Sequence, residues 1–239
     1  MAAGRMTDPV GYRATPAGTQ PEFLHSAYVS TRLRAPRQPV VSLPLTLSEA
    51  SGPSFDQTTL GAHASDLTAG HAGQPIGERI VVCGSVLDEN AKPVSCALIE
   101  LWQCNAAGRY HHERDLHDAP LDPNFSGAGQ AVTDSEGRYC FKTIRPGAYP
   151  WGNHPNAWRP AHIHFSLFGP AFATRLVTQM YFPGDPLLAV DPIFNSVADR
   201  AARDRLVSNL DLANAHAGHA LAYRFDIVLR GPKQTPLER

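Results

Sequence analysis

Residues 159–168, RPAHIHFSLF, decide the fold class. The residues alternate from Ala161 onward, and on an extended strand successive side chains point to opposite faces. Ala161, Ile163, Phe165 and Leu167 therefore form a core face, while His162 and His164 project together from the other. Pro160 has no N–H to give to a ladder, so the strand starts there and both histidines stand at a sheet end beside loops. They are close enough to share one metal ion. Two polar residues on a solvent face would show the same spacing, so the pair alone leaves both readings open.

The same alternation continues outward. Residues 175–182 (RLVTQMYF) and 222–229 (AYRFDIVL) read as strands, and 79–87 (RIVVCGSVL) is an apolar run followed by the turn Asp88-Glu89-Asn90. Residues 94–103 return from that turn, and 130–144 read as a hairpin turning at Ser135-Glu136-Gly137. A loosely periodic stretch near 197–210 predicts a helix. Many short strands bounded by 21 prolines and 19 glycines predict a mainly β fold. The expectation is a β-sandwich core of two mixed or antiparallel sheets, with an irregular N-terminal arm and one or two short helices.

The chain changes character near Gly77. Residues 1–76 carry scattered prolines and no sustained period, with short helices expected at 56–60 and near Asp66. They read as an arm that needs a surface to lie on, and residues 77–239 read as the sandwich domain. A formal net charge of -1 over 239 residues, without a long basic cluster, excludes a nucleic-acid footprint. Met1 to Gly18 contain no apolar run of the kind a secretory leader needs. The apolar stretches are too short for a bilayer, so no membrane association is expected and the cytoplasm is the default location. Cys83, Cys96, Cys104 and Cys140 form no C-x-x-C pair, and read as reduced thiols that mostly serve as small core hydrophobes.

Two further fragments could carry chemistry. In Pro146-Gly147-Ala148-Tyr149-Pro150-Trp151, two prolines and a glycine stiffen the backbone around Tyr149; packing of Tyr149 on Trp151 is the alternative. Gly108-Arg109-Tyr110 follows the strand ending at Gln103, where Tyr110 also suits core or rim packing. His111, His112 and His117 lie in a strongly polar stretch that reads as a solvated loop, and Trp102 reads as packed inside the sandwich.

Together these fragments resemble the intradiol ring-cleaving dioxygenases, a family with a strand-borne His-x-His and two distant tyrosines. Within it the likeness is nearest to the β-subunit branch that acts on protocatechuate. It runs through GERIVVCGSVLDENAKPV, LIELWQCNAAGRY, APLDPNFSGAGQAVTDSEGRYCFKTIRPGAYPW, WRPAHIHFSLFGP, TQMYFPGDP and LAYRFDIVLRG, which cover most of residues 77–231. DLTAGHAGQPIGER, upstream, is similar as well.

The resemblance implies Fe(III) held by Tyr110, Tyr149, His162 and His164, with a solvent hydroxide as a further ligand. Ferric iron is a hard ion that favours anionic oxygen donors, and imidazole suits iron generally. A free phenol ionises only near pH ~10, but a bound trivalent ion favours the phenolate. An Fe(II) site would instead call for two histidines and a carboxylate, and no carboxylate stands near the pair in sequence. The implied reaction is cleavage of protocatechuate by O2 between its two hydroxylated carbons to 3-carboxy-cis,cis-muconate, a step of the β-ketoadipate pathway.

Implied roles follow from position in the motif. Tyr149 leaves when substrate binds, and Tyr110 stays. Arg159 would stabilise negative charge developing on the ring. Gln179 would orient Arg159 or donate to bound hydroxide or oxygen, or else is a satisfied sheet-surface amide. Trp151 would wall the substrate ring, though plain packing reads the same. A homologous α subunit is implied, with the active site at the interface of a hetero-oligomer and the arm suited to wrapping around the partner. Catechol or hydroxyquinol 1,2-dioxygenases carry a longer helical N-terminal segment that residues 1–76 are too proline-broken to supply. A metal-free binding module of the same shape would give the four candidate ligands no reason to coexist.

Overall fold

In the computed structural model residues 15–41, 55, 58, 60–169 and 176–238 are described. In chain order the elements are α1 (Thr31–Arg34), β1 (Arg79–Leu87), β2 (Leu98–Trp102), β3 (Ala128–Val132), β4 (Arg138–Ile144), β5 (Tyr149–Pro150) and β6 (Trp158–Arg159). There follow β7 (His162–Phe168), β8 (Leu176–Tyr181), a 3-10 turn at Pro186–Ala189, α2 (Pro192–Asn195), α3 (Arg200–Asp204), β9 (Asn209–Leu210), β10 (Leu221–Arg224) and β11 (Ile227–Val228).

Two sheets face each other. One is mixed: β1 pairs antiparallel with β4 and parallel with β10 and β11, and β9 extends β10. The other is antiparallel, in the order β3-β2-β7-β8. Ile80, Val82, Phe141 and Phe225 from the first meet Ile99, Leu101, Ile163 and Phe165 from the second in one core. Each such fully buried side chain contributes about 1.5–3 kcal/mol. The mainly β sandwich is as expected, and Ala161, Ile163, Phe165 and Leu167 all lie in this core. No helix among the described residues is long and apolar enough to cross a membrane.

Several local expectations are corrected. The turn near Gly137 is tight, with Gly137 N–H donating to Asp134 O at 3.0 Å, yet residues 130–144 are not a hairpin. β3 belongs to the sheet of β2 and β4 to that of β1, because their inner apolar faces meet across the core rather than side by side. The strand expected over 222–229 breaks at Phe225-Asp226. There the chain lies so close to β1 that a Cβ on Gly84 would sit 1.9 Å from Phe225 O, and the Asp226 carboxylate accepts from Ser85 N–H in place of a ladder bond. The helix expected near 197–210 shrinks to α3, capped by Asp199, with the separate turn α2 capped by Asp191. Turns and a bridge to Lys142 stand where a helix was expected near Asp66. The helix expected over 56–60 lies largely outside the described residues.

The reduced-thiol expectation also fails. Cys83 and Cys140 are register partners on β1 and β4, with Cα atoms 4.1 Å apart, and are joined as a disulfide. Cys96 is exposed, at a positive φ of 56° that delays β2 until Leu98. Only Cys104 is a buried free thiol.

The described part of the N-terminal segment lies along its own chain. Gly18 O accepts from Asp199 N–H at 2.9 Å, and Asn153 brackets the segment by donating to Ala27 O and accepting from Val29 N–H, each at 2.8 Å. Phe23, Leu24, Leu33, Val40 and Val41 remain exposed along it.

Candidate metal centre

The strand side comes first. On β7, flanked by β2 and β8, the rings of His162 and His164 stand 4.8 Å apart on one face. His162 Nδ1 is 2.7 Å from Pro160 O, an acceptor only, so Nδ1 carries the proton and Nε2 keeps its lone pair. Burial, helped by Arg159 and His164, holds His162 well below the usual histidine range, which keeps it neutral. His164 Nδ1 lies 2.9 Å from Glu238 Oε2, and one ring face stacks on Trp102 at 4.8 Å and 6°. Trp102 is thus half-buried against the site rather than packed inside the sandwich.

Two loops supply the phenols. Asn105 folds the first by accepting at Oδ1 from Ala107 and Arg109 N–H at 2.9 and 3.0 Å, and Tyr110 N–H donates to Asp115 Oδ2 at 2.7 Å. The second loop packs directly on the first. Gly147 N–H donates to Asn105 O at 3.0 Å, and the Cys104 thiol, pushed up to about 12 by burial, donates to Gly147 O at 3.3 Å. Gly108 stands between the loops at φ +79°, where a Cβ would be 2.4 Å from Ala148 O. Tyr149 itself lies on β5, which among the described residues pairs only with β6.

The two sides meet. Tyr110 Oη is 3.1 Å from His164 Nε2 and Tyr149 Oη is 3.3 Å from His162 Nε2, while the phenol rings touch edge-on at 5.5 Å. Burial pushes both phenols above their ordinary range, and the neighbouring Tyr149 and Cys104 push Tyr110 further.

Arg159 lies beside the four. Its Nη1 is 3.2 Å from His162 Nε2, and its Nη2 donates to Gln179 Oε1 at 2.6 Å, Tyr181 Oη at 3.0 Å and Asp191 Oδ2 at 3.0 Å. Gln179 therefore meets Arg159 rather than solvent. Burial opposes the charge on Arg159, but Tyr181 and Asp191 outweigh it and raise its pKa. Its guanidinium lies 5.6 Å from the Trp151 ring centroid, and Trp151 also packs on Tyr28 at 5.5 Å. Tyr181, Asp191, Glu238 and Trp102 are the contributors that sequence reasoning missed. The signal for Asp191 was an Asp-Pro helix start, and the carboxylate does both jobs: Oδ1 accepts from Ile193 N–H and Oδ2 from Arg159. His111 and His112 are exposed and His117 meets the edge of Trp158, so none of the three joins the four.

The residues suit a metal ion. Buried phenols ionise only with strong help, and a multivalent cation supplies it. Two oxygen donors with two imidazoles match hard, imidazole-accepting iron. Arg159 Nε, buried, has no hydrogen-bond partner among the described residues, which leaves a donor beside the site for an added acceptor. Among the described residues no three His, Cys, Asp or Glu side chains gather to hold a metal. A carboxylate distant in sequence does stand against the His-x-His in space, but Glu238 meets Nδ1 and not the Nε2 side.

Residues 50–231 match the family described as Dioxygenase, and residues 12–46 the family described as protocatechuate 3,4-dioxygenase beta subunit N terminal. The chain belongs to the intradiol dioxygenase family. The protocatechuate 3,4-dioxygenase beta chain of Burkholderia cepacia is 59% identical over 223 residues, covering 92% of this chain and 94% of that one. The protocatechuate 3,4-dioxygenase alpha chain of the same organism is 31% identical over 161 residues, covering 66% and 76%. The solved dioxygenase domain of a carbohydrate-binding fusion protein from Streptomyces sp. SirexAA-E superposes with a TM-score of 0.51 at 25% identity, covering 76% and 99%. As an intradiol dioxygenase the chain is an oxidoreductase of aromatic catabolism, and the family is iron-dependent in general.

Proposed function

We propose that this chain is the iron-bearing β subunit of a protocatechuate 3,4-dioxygenase, cleaving protocatechuate with O2 to 3-carboxy-cis,cis-muconate in the β-ketoadipate pathway. The carrying observation is the convergence of Tyr110, Tyr149, His162 and His164, with phenol-to-imidazole spacings of 3.1 and 3.3 Å, in a chain 59% identical to such a β chain. These four would hold Fe(III), which when bound supplies the Lewis acidity that ionises the phenols and draws both substrate hydroxyls to one point. The division into an arm over 1–76 and a catalytic sandwich domain over 77–239 belongs to the same reading.

The chain's own groups then divide the work. Tyr149, held by a two-residue strand, gives up its place to substrate, and its Oη takes the proton of a substrate hydroxyl. Tyr110 stays, its backbone fixed by Asp115. Arg159, locked by Gln179, Tyr181 and Asp191, presents a fixed cation to negative charge developing on the ring, and such preorganised charge needs no rearrangement during reaction. Trp151 forms an aromatic wall beside it.

A homologous α subunit completes the site. The exposed apolar side chains of the N-terminal segment, from Phe23 to Val41, suit burial against such a partner. The cytoplasm is the proposed place of work. The test is to express the chain with its α homologue and iron and identify the product from protocatechuate and from catechol. Ring opening between the hydroxyls of protocatechuate is expected, with little activity from the chain alone. A yellow extradiol product would overturn the reaction, and preference for catechol would move the chain to the 1,2-dioxygenases.

A further inference from the structure

The two imidazoles are steadied at Nδ1 by different partners. His162 uses Pro160 O, two residues away, whereas His164 meets a carboxylate 74 residues along the chain. We infer that Glu238 is a positioning residue of the metal centre. Its carboxylate accepts the Nδ1–H of His164, which fixes that tautomer and the ring's orientation and leaves the Nε2 lone pair facing Tyr110 Oη. The inference rests on the metal site proposed above.

The route of residues 235–238 is built for delivery. Thr235 N–H donates to Val228 O at 2.9 Å and its Oγ1 accepts from Val228 N–H at 3.0 Å. Thr178 Oγ1 then donates to Pro236 O at 2.7 Å, Leu237 N–H to Gln20 Oε1 at 2.8 Å, and Glu238 N–H to Val177 O at 2.7 Å. The segment is thus held beside β8 by its backbone and by Thr178, Gln20 and Thr235, and the Glu238 side chain is turned to His164, with the Gln179 amide as a lesser neighbour. With Trp102 stacked on the ring face, both the in-plane rotation and the tilt of His164 are constrained. A carboxylate on a ligating imidazole also raises its basicity, and loss of such a partner typically costs about 10–100-fold in metal affinity or activity.

The test uses the chain with its α partner, expressed with iron, as wild type, Glu238→Gln and Glu238→Ala. Three readouts are taken without substrate: iron release to a chelator, the tyrosinate-to-iron visible band, and melting of the metal-free protein. Glu238→Ala is expected to release iron about 10–100-fold more readily, with a shifted band and near-wild-type melting of the metal-free form. Glu238→Gln, which keeps an acceptor oxygen without the charge, should lose less. Iron held by both variants as tightly as by wild type would overturn the inference. So would a fall in metal-free melting that accounts for the iron loss and is restored by Gln, since the role would then be structural. If Glu238→Ala does not fold, Glu238→Gln decides: faster release sustains the inference and wild-type release overturns it. An iron-loaded but colourless wild type would sink the proposed site itself, before any substitution is made.

Discussion

His162 and His164 sit within a strand that has ladder partners on both sides, whereas Tyr110 and Tyr149 hang from loops whose one regular element is the two-residue pair β5–β6. The strand side takes its geometry from the sheet, and Nδ1 contacts only trim it. The loop side takes its geometry from Asn105, Asp115 and the backbone contact between Gly108 and Ala148. In the proposed function the strand side is the fixed wall and the loop side the one that yields, which is what a reaction needs if one protein ligand leaves to admit a substrate.

The largest expected effect breaks the rigid wall. His162→Ala removes a buried donor at the start of β7, and iron should be lost, with retention falling by more than the roughly 100-fold ceiling typical of outer partners. Tyr149→Phe acts on the yielding wall and should keep iron while slowing substrate binding. Iron content with stopped-flow substrate binding reads both. If Tyr149→Phe loses iron as fully as His162→Ala, the two walls are not distinct.

Next comes the bracket that joins them. Arg159 faces Tyr149 across β5–β6 in register and its Nη1 meets His162, and its counter-charge is Asp191, which is fully buried. Removing one partner of such a pair leaves an unpaired buried charge and typically costs about 3–5 kcal/mol. Asp191→Ala should therefore lower stability by roughly that amount in chemical denaturation, with activity falling further than folded fraction. A loss under about 1 kcal/mol would mean that Gln179 and Tyr181 alone hold Arg159.

The same contrast explains what the sequence disclosed. The face of β7 was legible because a period of two is a local property, and Ile163 and Phe165 needed no knowledge of the rest of the chain. The phenols were not legible that way. Tyr110 and Tyr149 drew notice through their Gly- and Pro-containing fragments, but packing was the competing reading for each, and family resemblance decided for the ligand role. Partners that depend on tertiary assembly stayed hidden: Asp191 and Tyr181 around Arg159, Glu238 at His164, and Cys140 opposite Cys83, 57 residues away. The turn at Asp134 to Arg138 shows where local reading stops. Its chemistry is encoded in adjacent residues, while the sheet that each flanking strand joins is decided by apolar faces meeting across the core.

The smallest effect sharpens the comparison by touching the loop wall without touching a ligand. Gly108 holds φ +79°, a region that costs an L-residue about 1–2 kcal/mol, and its missing Cβ leaves room for Ala148 O. Gly108→Ala therefore combines modest backbone strain with a wedge between the two tyrosine loops, and nothing in it reaches β7. Melting should fall by at least the few degrees that about 1–2 kcal/mol of backbone strain implies for a chain of this size. Iron should remain bound through the histidines while the tyrosinate visible band moves, because the phenols shift relative to the metal and the imidazoles do not. An unchanged band with a lowered melting temperature would show that the loops absorb the wedge elsewhere. The loop wall would then be stiffer than its short β5–β6 pairing suggests, and the ease with which Tyr149 yields would have to come from Tyr149 itself.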